Sequence, residues 1–132
     1  MKTASRRTKV LIVVVSAGLL FTTDVFAASY SVETHLSITA PRHVQSGHAF
    51  TINGFLRSSK HFCRASSRIN LMIGGRVVAH TRTTKRGHYS FRQKIHRTTR
   101  FHTKFNGKVR GTHPNTRTCN GSRSRARTVH AR

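Results

Sequence analysis

An all-β sandwich of about seven strands is predicted, on three observations. From Leu36 onward apolar residues recur with period two rather than 3.6, glycine, proline and asparagine turn signals cut the chain into short segments, and no convincing helical pattern follows residue 27. Short strands without helices have few ways to bury one face, and a sandwich is the economical one.

The chain opens with a different signal. Lys2, Arg6, Arg7 and Lys9 precede an apolar run over residues 10–21, and Val25-Phe26-Ala27 offers small-residue cleavage chemistry. The run is too short to span a bilayer comfortably, so residues 1–27 read as a signal peptide removed after Ala27. Ser5-Arg6-Arg7 resembles a twin-arginine signal, but Lys9 interrupts the hydrophobic pair that should follow, which favours ordinary Sec export. The expected location is therefore extracytoplasmic, secreted or in the cell envelope.

Residues 28–34 read as a short linker and residues 35–132 as one domain. Leu36, Ile38 and Ala40 alternate with polar neighbours until Pro41 stops the strand. After a Ser46-Gly47 turn, Phe50, Ile52 and Leu56 share one face, with Gly54 where another backbone would approach closely. A polar loop with Cys63 leads to Ile69, Leu71 and Ile73, and Gly74-Gly75 is a hairpin signal into residues 76–83.

A tight corner follows, in which Gly87 supplies the turn while Lys85, Arg86 and His88 surround it. Tyr89, Phe91 and Ile95 then mark a strand, Phe101 and Phe105 the next, and Gly107 closes it. Residues 108–119 read as a loop ending at Cys119. From Asn120 onward two readings stay open: a weakly apolar last strand over residues 122–129, or a disordered basic arm over 119–132 with little to bury.

The order L-x-I-x-x-P-x-x-V-x-x-G-x-x-F-x-I-x-G over residues 36–54, followed by T-x-x-x-G-x-Y-S-F over 83–91, resembles secreted bacterial immunoglobulin-like and carboxypeptidase-regulatory-like domains. The resemblance implies an immunoglobulin-like antiparallel sandwich and an adhesive, spacer or carbohydrate-associated module. Corners of that family usually read T-x-D-x-G-x-Y. The acid is absent here, and with it a ligand for the calcium such turns sometimes hold.

The whole chain has 25 Lys and Arg, two acidic residues and ten histidines, for a formal charge of +23. Beyond residue 27 only Glu33 is acidic. Two-carboxylate glycoside hydrolysis, aspartyl proteolysis, a Ser-His-Asp triad and most calcium or magnesium sites need acids that one residue cannot supply. The chain reads as non-enzymatic, with no cofactor and no small-molecule substrate expected. The histidines show no metal-ligand spacing, so no metal site is assigned.

Cys63 and Cys119 both lie in the exported part, where a disulfide is the default. A reactive Cys63 beside His61 is the competing reading, and it lacks an orienting carboxylate or amide. Self-repulsion at this charge makes such a staple, or bound anions, valuable to the fold.

The basic residues carry the functional expectation. If Phe101 and Phe105 face inward, Arg100, His102 and Lys104 face outward; Arg123, Arg125 and Arg127 share a second face at period two, roughly 6.8 Å apart. In an immunoglobulin-like order these strands are neighbours, so the two sets should form adjacent ladders. Arg92 and Lys94 would extend the charge to the other sheet.

Arginine outnumbers lysine 16 to 5 beyond residue 27, which suits bidentate contacts to phosphate, sulfate or carboxylate. The expected partners are anionic envelope or matrix polymers, such as teichoic acid, lipopolysaccharide or acidic polysaccharide, or nucleic acid bound without sequence preference. A purely structural or adhesive surface domain and a cationic antimicrobial protein are the alternatives.

Overall fold

The computed structural model describes residues 29–132; the expected signal peptide lies outside the described residues. The strands are β1 (Tyr30–Val32), β2 (Thr34–Leu36), β3 (His43–Val44) and β4 (Phe50–Ser58), followed by a four-residue helix α1 (His61–Arg64). Then come β5 (Arg68–Ile73), β6 (Arg76–Arg82), β7 (His88–Gln93), β8 (Thr99–Phe105), β9 (Lys108–Thr112), β10 (Asn115–Cys119), β11 (Ser122–Arg123) and β12 (Arg127–Ala131). The fold is all-β as expected, with twelve strands among the described residues rather than about seven.

One sheet runs β2-β4-β7 and the larger one β3-β12-β8-β5-β6, with β11 also paired to β8. The two sheets make a β-sandwich, and the expected all-antiparallel pairing gives way at its edge, where β3 runs parallel to β12. Ile52, Leu56, Tyr89 and Phe91 from the first sheet pack against Ile69, Leu71, Phe101, Phe105 and Val129 from the second. Each fully buried side chain of this size contributes about 1.5–3 kcal/mol, which offsets the charge repulsion outside.

The rings of Phe50 and Phe101 meet edge to face across the sheets at 6.2 Å between centroids. Beside them the Tyr89 hydroxyl donates to the Ser37 carbonyl and shares a 3.1 Å hydrogen bond with Thr103. Burial pushes the Tyr89 pKa up to about 12, against the opposing effect of the Thr103 bond. Gly54 is the close approach that its position in the strand predicts: a Cβ there would collide with the Ser37 carbonyl and the Tyr89 hydroxyl.

The Gly87 corner carries the chain from the larger sheet, at β6, to the smaller one, at β7. Its turn is closed by Gly87 N–H donating to Thr84 O at 2.9 Å and Thr84 N–H donating to His88 O at 2.8 Å. At φ 88° and against the Leu56 carbonyl, only glycine fits.

Three expectations give way. Residues 108–119 are not a loop but the hairpin β9–β10, and Tyr30–Val32, within the expected linker, adds to it as a parallel strand. These segments bury almost nothing on a regular face, so alternation could not reveal them. The tail is neither one strand nor a free arm: it forms β11 and β12 on β8, interrupted around Ser124. Buried Ser124 accepts from the Thr103 N–H through its hydroxyl at 2.8 Å, while its own N–H donates to Thr103 O at 2.9 Å.

Candidate functional site

The cysteines form the expected disulfide. Cys63 on α1 and Cys119 at the end of β10 are fully buried, with Cα atoms 5.6 Å apart. The same corner holds Lys108, whose ammonium donates to Phe62 O at 2.7 Å, Ala65 O at 2.9 Å and the Ser67 hydroxyl at 3.1 Å. Burial, then the Arg110 and Arg82 charges, lower its pKa from the ordinary lysine value. Arg117 lies over the Phe62 ring at 4.9 Å. These contacts tie the polar hairpin to α1, and they mark Lys108 and Arg117 as structural cations that sequence alone did not separate from the rest.

On the larger sheet, pairing register settles which cations share a face, because directly opposed residues point the same way. Lys104 opposes Asn70 on β5 and Arg123 on β11; His102 opposes Met72; Arg100 opposes Thr128. Phe101, Thr103 and Phe105 alternate inward and are buried. Arg100, His102, Lys104 and Arg123 therefore stand on the outer face, and the Arg68–Arg82 pair extends it across β5 and β6.

Asn70 and Met72 belong to that outer face yet are each only 7% exposed. Long neighbouring side chains must lie over them, with their charged ends reaching water.

The second expected ladder does not form. Four steps separate Arg123 from Arg127, while their partners Lys104 and Phe101 are only three apart. The extra residue reverses the facing of everything after it. Arg127 consequently opposes the inward-facing Phe101 and stands at the sandwich edge, where it and Arg125 border a hollow with Leu36, Ser37 and Ile38. Period two in the sequence could not show this, because the bulge is set by Ser124 bonding to Thr103.

Two cations that sequence did not single out lie at the end of this sheet. Arg76, just after the β5–β6 turn, and Arg97, just before β8, line a hollow of about 550 Å³ with Arg100 and His102. The side chains of Arg76, Arg97, Arg100, His102, Lys104 and Arg123 have no hydrogen-bond or ion-pair partner among the described residues. Partial burial, then the charges of Arg123, Lys104 and Arg100, lower the His102 pKa from its ordinary value.

Elsewhere, Lys85 and Arg86 are exposed at the Gly87 corner, as are Arg92 and Lys94 on and after β7. His88 is half-buried and packs its ring against Phe55 at 5.2 Å, so it belongs less to the solvent than its neighbours do.

No family model matches the chain, and no curated protein matches it. Among solved structures it is similar to the sulfur carrier protein SoxY from Chlorobium limicola f thiosulfatophilum, at 14% identity over 72% of this chain and 73% of that one, with a TM-score of 0.43, a likeness too distant to bear on function.

Proposed function

We propose that this protein is a non-enzymatic extracytoplasmic module that associates electrostatically with anionic polymers through the outer face of its larger sheet. One observation carries the reading: Arg100, His102, Lys104 and Arg123 stand together across neighbouring strands with no acceptor among the described residues. Lys104 and Arg123 are directly opposed, and like charges in that arrangement disfavour the sheet unless something neutralises them. A polymer of the envelope or matrix supplies many anions at once, and the counterions it sheds on binding add to the driving force.

The buried disulfide fits an oxidising compartment. The resemblance to secreted bacterial immunoglobulin-like domains points to the same place. Arg125 and Arg127 are left out of the binding face, and Arg68 and Arg82, which border it, are held by Asn70 and the Ser66 carbonyl.

The test is binding of the oxidised protein to a poly(glycerol phosphate) chain across a range of salt concentrations. Affinity should fall steeply with salt, and Lys104→Gln with Arg123→Gln should weaken it several-fold and flatten the slope. Binding that persists unchanged in high salt would favour an adhesive domain recognising a defined partner; leakage of anionic vesicles would favour a cationic antimicrobial protein.

A further inference from the structure

Resting on that reading, we infer that the hollow walled by Arg76, Arg97, Arg100 and His102 seats a phosphate monoester carried on a sugar of the bound polymer. The four side chains come from two strands and a loop that meet at one end of the larger sheet: Arg76 from the start of β6, Arg97 from the segment entering β8, and the other two from β8 itself. A group entering there meets cations from both sides of the hollow. Three guanidinium groups gather around this one concavity.

Charge selects the anion. No carboxylate lines the hollow, and its cations have no partner among the described residues, so the field inside is uniformly positive and is concentrated by the concave walls. A phosphate monoester carries close to two negative charges at neutral pH and three acceptor oxygens. Sulfate esters and uronates bring one charge each. Guanidinium forks match tetrahedral oxyanions in a bidentate way that ammonium groups do not, and every fixed cation here is an arginine.

Size and lining select what carries the phosphate. At about 550 Å³ the hollow is far larger than a bare phosphate and falls within the usual range for small-ligand sites. No Phe, Tyr or Trp ring lines it, and the His102 imidazole is its only ring. Ile73 and Gly74 instead offer a small apolar wall. The Thr99 hydroxyl donates to Arg97 O at 2.8 Å and so holds the Arg97 segment against β8.

The experiment follows amide NMR shifts of the oxidised protein at constant ionic strength and neutral pH during titration with glucose 1-phosphate, glucose 6-sulfate, glucuronate and inorganic phosphate. Glucose 1-phosphate should move residues 73–76 and 97–102 selectively and bind about tenfold more tightly than each of the other three. Arg97→Lys with Arg100→Lys keeps the charge but removes the forks, and should abolish that preference while the spectrum still reports a folded chain.

Equal affinity for all four anions, or shifts spread to Lys85 and Arg86, would overturn the assignment. Inorganic phosphate binding as tightly as the sugar phosphate would overturn its sugar half. Polymer binding in the Lys104→Gln, Arg123→Gln variant is read in parallel. If the polymer still loses affinity there while glucose 1-phosphate fails to bind, the hollow is wrongly assigned and the binding face stands; if the polymer is indifferent to that variant, the face is what fails.

Discussion

At the disulfide corner Lys108 turns its ammonium onto two backbone carbonyls and a hydroxyl, whereas on the outer face of the larger sheet Arg100, Lys104 and Arg123 meet no acceptor among the described residues. Both regions are cationic, in a chain whose only acid beyond residue 27 is Glu33. In the first, carbonyl oxygens do the work that carboxylates do elsewhere. Arg64 donates to Ser58 O at 2.9 Å and Arg82 to Ser66 O at 2.8 Å in the same way. Cations satisfied from within hold the fold together, and cations left unsatisfied are the ones available to a partner.

The comparison breaks most visibly at the staple. Cys63→Ser with Cys119→Ser opens a link between residues 56 apart and should cost on the order of 4 kcal/mol in denaturant unfolding. A loss below about 1 kcal/mol would mean that the corner holds itself together without the bond, outside the usual 2–4 kcal/mol for a native disulfide.

Next in size is Lys108→Met, which removes the ammonium donor from the Phe62 and Ala65 carbonyls and leaves Ala65 O only the long Ser67 hydroxyl contact at 3.4 Å. It should lower stability by about 1–3 kcal/mol in thermal or denaturant melts, with no change in the salt slope of polymer binding. The reverse pattern, intact stability and weakened binding, would put Lys108 in the functional set instead.

Lys104→Gln with Arg123→Gln sharpens the contrast from the other side. Relieving the directly opposed charges should leave stability unchanged or raise it by about 0.2–1 kcal/mol, although binding declines. Destabilisation would show that these side chains are structural after all.

The smallest effect is on pH dependence. His102 is held below its ordinary value by partial burial and by Arg123, Lys104 and Arg100, and His43 by desolvation and by Arg132, His130 and Arg42. For each, the unfolded chain takes up a proton first as pH falls. Stability should therefore be full above the unfolded value of 6.5 and decline as pH drops below it. His102→Gln should flatten that decline in melts run at pH 7.5 and 5.5, and added polyanion should oppose it; an unchanged decline in the variant would remove His102 from the cause.

The sandwich core was legible in sequence because burial writes itself as alternation: Ile52 with Leu56, Ile69 with Leu71, and Phe101 with Phe105 all face inward as their spacing implies. The disulfide followed from two cysteines and the expectation of an oxidising compartment. The hairpin β9–β10 was not legible, since Val109 is 64% exposed and the segment is pinned by Lys108, Arg117 and Cys119 rather than by an apolar face.

The outer face was half legible. Arg100, His102 and Lys104 are phased by the phenylalanines beside them, but Arg125 and Arg127 are displaced by a bulge that depends on one buried serine. Arg76 and Arg97 lie far apart in the chain and meet only because the β5–β6 turn and the entry to β8 fall at the same end of the sheet.

The most direct test of a localised binding face compares two variants with equal charge loss, Lys104→Gln with Arg123→Gln and Lys85→Gln with Arg86→Gln, in polymer binding measured between low and physiological salt. A working face predicts that only the first pair loses affinity several-fold and flattens the salt dependence, by a slope of about two for two lost phosphate contacts. Equal losses in both pairs would contradict it and leave a diffuse surface charge with no preferred side.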